Sequence, residues 1–138
     1  MSAGRYSFIV EQGATTDFQI VYKDSTGTPI NLSGYTAAMQ IRDRQGGSVL
    51  YASLTSSLGD SYTKTSGSAF ISLSGSNLTT DQVSGSIGVY IGHGITNNFT
   101  FNEAYYDLEI TNGQIRTRLL EGKVQLTKQV TTIPWVQN

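Results

Sequence analysis

A chain of 138 residues with 38% hydrophobic and 14% charged residues is long enough to bury one core without metal or disulfide staples. Its 8 Tyr and 5 Phe, against a formal net charge of -1, exclude the composition of a disordered chain. The absence of Cys removes thiolate metal sites and thiol nucleophiles, and the lack of any Lys/Arg run removes the attraction that drives non-specific nucleic-acid binding.

The start, Met1 to Tyr6, lacks the basic then apolar layout of a secretory signal, so a soluble product made in the cytoplasm is expected, with no membrane partner. Apolar and polar side chains then alternate over short runs closed by Gly, Asn, Asp or Ser, the pattern of half-buried strands. Tyr6, Phe8 and Val10 alternate with Ser7 and Ile9; Phe18, Ile20 and Tyr22 alternate with Asp17, Gln19, Val21 and Lys23. Asp24-Ser25-Thr26-Gly27 predicts a turn, because an Asp side chain bonds its own downstream backbone and Gly27 supplies a positive φ at little cost. Residues 35–42 predict a third strand with Tyr35, Ala37, Met39 and Ile41 inward, joined through Arg44-Gln45-Gly46-Gly47 to residues 49–54 as a hairpin. Residues 55–68 are nearly all small and polar and read as a long loop or weak edge strand, after which residues 69–73 restore a strand. The stretch 77–83 offers the one helical turn, with Asn77 or Thr79 as N-cap and Asp81 in its first turn.

Residues 86–91 form a further strand, and Gly92-His93-Gly94 breaks it before a polar link holding Asn97 and Asn98. Residues 105–110 and 114–119 flank Thr111-Asn112-Gly113, and Asn-Gly is the preferred pair for tight hairpin turns. After Leu119 the apolar phase shifts to Leu120, Val124 and Leu126, which requires one extra residue or a change of sheet. Gly122 is placed to hold a bulge, and the last strand is expected to cross between sheets. About eight short strands, at most one helical turn and no internal repeat predict a single all-β domain over 1–138, an Ig-like antiparallel β-sandwich. A short N-terminal arm, 1–5, and a C-terminal tail, 131–138, flank it. The tail carries the sole Trp, Trp135, beside Pro134, and an exposed Trp is costly unless it docks.

Few residues offer chemistry. His93 is the only imidazole, and its flanking glycines supply no side chains to hold it in one rotamer, so it reads as a loop histidine. One His without Cys is too few for most zinc sites. Asp107 and Glu109 share one face of a strand about 7 Å apart, a spacing compatible with inverting glycosidase chemistry. Arg116 and Arg118 on the paired strand make a cross-strand charge ladder the reading that accounts for all four residues. The turn at Asp24 lacks the remaining ligands of a calcium loop, and neither a dinucleotide loop nor a phosphate-loop Lys occurs. The Asn-x-Ser/Thr triplets at Asn31, Asn77 and Asn98 read as accidents of composition. No catalytic residue, metal ligand or cofactor is expected.

The run Lys23 to Arg42, with Pro29 and Gly34 shaping the connection and Tyr35 starting a core strand, resembles small Ig-like sandwich proteins of tailed bacteriophages. Glu11-Gln12-Gly13, Tyr106-Asp107-Leu108-Glu109 and the stretch from Arg118 to Val124 look like further elements of the same pattern. Similar domains form the N-terminal part of upper baseplate proteins of siphophages, and stand-alone versions look like virion structural proteins of T4-like cyanophages. The resemblance implies a non-enzymatic virion protein, a tail or baseplate component or adaptor, whose partners are other virion proteins and its own copies in a symmetric oligomer. Alternatives are a capsid decoration or neck protein, and a carbohydrate-binding module using exposed Tyr faces on a glycan. The termini hold apolar groups that reach little into their own core, so Arg5, Tyr6, Ile133, Trp135 and Val136 are the candidate partner contacts.

Overall fold

In the computed structural model, which describes residues 4–56 and 63–130, the alternation of the sequence becomes nine strands in two sheets. The larger sheet runs β1 (Gly4–Arg5), β9 (Arg116–Thr127), β8 (Glu103–Thr111), β4 (Thr36–Arg42), β5 (Leu50–Thr55), and β2 (Phe8–Glu11) continues the β1 edge along β9. The smaller sheet is β3 (Thr16–Val21), β7 (Ser86–Ile91), β6 (Ala69–Ser72). The fold is thus the expected β-sandwich. Its pairs are antiparallel except at the N-terminus, where β1 and β2 lie parallel to β9, Gly4 opposite Leu120 and Phe8 opposite Val124. Gly4 and Arg5, expected in an arm, are therefore part of the sheet.

Alternation sets the inner faces. In β4, Ala37, Met39 and Ile41 are buried, and in β8, Ala104, Tyr106, Leu108 and Ile110 are. They share one core with Ile71, Ile87, Val89 and Ile91 of the smaller sheet. The phase shift after Leu119 is resolved by one extra residue: Leu108 pairs with Leu120 and Glu109 with Arg118, so Leu119 is bulged and also turned inward. That insertion restores the inward phase of Val124 and Leu126, and β9 stays in one sheet. The expected crossing between sheets does not occur. Gly122 is not the bulge; it faces inward opposite Tyr106, where a Cβ would collide with the Tyr6 carbonyl oxygen.

Both faces of β7 are buried. Ile87, Val89 and Ile91 face the core, while Gly88 and Tyr90 lie under residues 63–68 and 74–80. Tyr90 stacks on Phe70 at 5.2 Å and donates from Oη to the Thr65 carbonyl at 2.8 Å. A Cβ on Gly88 would stand 2.8 Å from the Gly75 backbone. Lys64 pins the two loops together, its Nζ reaching Asp17 at 2.7 Å and the Ser76 carbonyl at 2.6 Å. The described part of the stretch expected as a loop or weak edge, 63–68, is thus a loop across a sheet face; 57–62 lie outside the described residues. Lys64→Met is expected to cost about 0.5–1 kcal/mol in urea unfolding, the worth of an exposed ion pair and its accompanying hydrogen bond.

Asp24 builds its expected turn by accepting from Thr26 N–H at 2.9 Å, Thr26 Oγ1 at 2.6 Å and Thr28 N–H at 3.0 Å. These bonds, the Thr26 hydroxyl's first and the Thr28 N–H's next, hold its carboxyl below the ordinary value. The turn expected over 77–83 is a 3-10 turn at Gln82–Ser84 capped by Asp81, whose carboxylate accepts from Val83 N–H. Asn77 closes the preceding bend instead, accepting from the N–H groups of Thr79 and Thr80. A second turn, α1 (His93–Thr96), stands where a polar link is expected. Gly92 and Gly94 permit it: a Cβ on either would press on the Ser66 backbone. Thr96, fully buried, anchors it by donating from Oγ1 to the Ala14 carbonyl at 2.8 Å. No helix among the described residues is long and apolar enough to cross a membrane.

Candidate functional site

Period-two alternation sends Glu103, Tyr105, Asp107 and Glu109 of β8 to the outer face of the larger sheet, and the adjoining strand answers with charge. Arg118 Nε lies 3.5 Å from Asp107, Arg116 Nε 3.9 Å from Glu109, and Lys123 Nζ 3.7 Å from Glu103. Arg118 also reaches Glu121, as does Arg5 from β1, each at 3.7 Å. The ladder expected from the sequence is present. Exposed pairs of this kind contribute about 0.2–1 kcal/mol each. A shallow groove of about 430 Å³ runs beside the ladder, lined by Thr36, Ala38, Thr55, Asp107, Glu109 and Arg116.

Asp107 is held above its ordinary value of 3.8, by burial first and then by Glu109, with Arg118 opposing. A raised carboxyl favours the fold most when protonated. Its contribution is fully present below the unfolded value and is lost as pH rises through the folded one. Asp107→Asn is therefore expected to keep neutral-pH stability within about 1 kcal/mol and to remove part of the gain seen on acidifying toward pH 4, measured by thermal unfolding across pH. Chemically the face offers paired charges and small polar side chains, suited to docking against another polar surface.

His93 opens α1 with its imidazole exposed, and the imidazole makes no hydrogen bond to a described residue. The described residues hold no group of three or more His, Asp or Glu placed for a metal ion. Of the candidate partner contacts, Arg5 lies exposed on β1. Tyr6 is 41% exposed, its ring 6.0 Å from Phe18 and 6.4 Å from Phe8 and its N–H donating to the Glu121 carbonyl at 3.1 Å. Ile133, Trp135 and Val136 lie outside the described residues.

Two surface features were not singled out from the sequence. Large aliphatic side chains stand outward on strands at the sheet edges: Ile9 on β2 at 61% exposed, Val21 on β3 at 44% and Leu50 on β5 at 45%. Strict alternation carries the signal for Ile9 and Val21, each lying between inward neighbours. The second is a largely apolar groove of about 320 Å³ at the seam between the sheets, lined by Ile20, Val21, Tyr22, Leu119 and Leu120, with Gly4, Lys23, Thr117 and Arg118 completing its lining. Comparison with protein-family models finds no match, and comparison with curated proteins finds none either.

Proposed function

We propose that this chain is a non-enzymatic structural protein of a tailed-phage virion, a tail or baseplate component or adaptor that assembles through repeated protein contacts. The observation that supports the reading best is the condition of the sheet edges. The edge strand β5 reads Leu50-Tyr51-Ala52-Ser53-Leu54-Thr55 with no charge and no proline, and β2 and β3 hold Ile9 and Val21 outward. Proteins that stay single blunt such edges with Lys, Pro or a covering loop. Edge strands with outward aliphatic side chains suit the addition of a neighbour. The phage context comes from the resemblance of residues 23–42 and 118–124, and with it a location in the virion after synthesis in the host cytoplasm.

A decoration or neck position would use the same edges at a different address. Mass spectrometry of gradient-purified particles tests the reading. The chain is expected in them at a fixed ratio to the major tail proteins, and its absence from washed particles would overturn the assignment.

A further inference from the structure

The seam between the sheets is sealed at one end and open at the other. At the sealed end Phe8 packs 4.9 Å from Phe18 and 5.1 Å from Tyr106, with Tyr6 beside them. Beyond that cluster, between the end of β3 and the start of β9, lies the apolar groove of about 320 Å³. Its volume is within the range of sites that enclose a small ligand or a large side chain. Its walls are also strand edges. β3 is the terminal strand of its sheet, and β9 meets β1 only from Leu120 onward, so residues 116–119 have no strand partner on that side among the described residues.

The chain itself carries a segment with the matching chemistry. Residues 131–138 are uncharged and include Thr131, Thr132, Ile133, Trp135 and Val136, the β-branched and aromatic types that strands favour. Pro134, without an N–H, confines such a strand to an edge. Trp135 brings the largest apolar surface of any side-chain type.

The same molecule cannot deliver it. Gln129 donates to Gln12 at 3.0 Å, which places Val130 at the far end of β9 from the groove. The strand from Leu119 to Thr127 alone rises about 26 Å. From Val130 to Trp135 even a fully extended chain spans at most about 18 Å. A second copy is not so limited. We propose that the C-terminal segment around Trp135 docks in this groove on a neighbouring copy, joining copies head to tail. The contact rests on the assembly reading above and gives that reading its geometry, because a head-to-tail contact generates rings or open helical stacks according to whether its rotation closes.

The test uses the full chain. Trp135 is the only Trp, so fluorescence excited at the red edge of its absorption, where Tyr does not absorb, reports the tail alone. As protein concentration rises, emission is expected to move to shorter wavelength while light scattering rises above the monomer mass of 14.9 kDa. Trp135→Ala removes the donor and Val21→Arg blocks the acceptor, and each alone is expected to hold the mass at monomer. Mixing the two variants is expected to restore a complex of twice the monomer mass, since one still has its groove and the other its tail. A mixture that stays monomeric overturns the proposal, and so does Trp135→Ala associating at wild-type strength. Emission independent of concentration leaves the groove to another occupant, the chain's own residues 1–3 included, and overturns it too. Val21 is exposed, so Arg there should leave urea unfolding unchanged; if it does not, the Trp135→Ala result decides. A monomeric chain that is present in purified particles would sink this contact and leave the virion reading standing. An associating chain absent from particles would do the reverse.

Discussion

Gly122→Val is expected to detach the N-terminal strands from the larger sheet and to cost about 3 kcal/mol, read as a lower midpoint in urea unfolding. Residue 122 faces inward opposite Tyr106, and a Cβ there would meet the carbonyl of Tyr6, which is backbone and has nowhere to rotate. That carbonyl accepts from Tyr106 Oη at 2.6 Å. On either side Tyr6 N–H donates to the Glu121 carbonyl at 3.1 Å and Lys123 N–H donates to Ser7 Oγ at 3.2 Å. Displacing Tyr6 therefore breaks a group of bonds together and leaves a buried hydroxyl without its acceptor, itself a loss of about 1–3 kcal/mol. Gly67 is the internal control, because a Cβ there meets nothing within 4 Å. Gly67→Ala should change stability by no more than about 0.5 kcal/mol. Equal effects at the two glycines would mean that β1 and β2 do not lie where they are described.

Phe8→Ala is expected to cost about 3–5 kcal/mol. Phe8 is 8% exposed and stands opposite Val124, its ring packed on Phe18 and Tyr106. It joins β2 of the larger sheet to β3 of the smaller one, so truncation opens a cavity where the two layers meet. Ile9, next in sequence but 61% exposed, should tolerate Ala with a change near 0.5 kcal/mol or less. The contrast between neighbours tests whether the N-terminal strand belongs to the core. A loss at Phe8 as small as that at Ile9 would reduce β2 to a detachable strap.

Local pattern carried much of this architecture. Alternation in residues 36–42 and the Asp24 turn translate directly into the observed elements, and the hairpin expected at Asn112-Gly113 forms with its second strand starting at Arg116, two residues later than expected. The charge ladder was legible for the same reason: hairpin strands joined by a short turn fix each other's register. Partners distant in sequence were not legible. Nothing in residues 4–11 announces a parallel pairing with residues 120–127, because period two encodes a face and not a neighbour. Leu119 rather than Gly122 became the bulge since two adjacent leucines could both turn inward, Leu119 buried and Leu120 partly so, while Gly122 was needed for the close passage of Tyr6. The covered outer face of β7 left a trace in its near-continuous apolar run, Ile87, Val89, Tyr90 and Ile91, which is the mark of burial on both sides. Gly88 between them reads as weakness until the Gly75 backbone is seen lying against it. The seam groove is made by residues about one hundred positions apart and has no local signature.

The proposed role of this sandwich is cohesion and repeated contact with its neighbours in a phage particle. Image reconstruction of purified particles carrying a bound antibody fragment against the chain tests it most directly. The account predicts fragment density repeated by the symmetry of the tail or baseplate, one fragment per copy. Particles that remain bare, while the free chain in the same lysate binds the fragment, would contradict it.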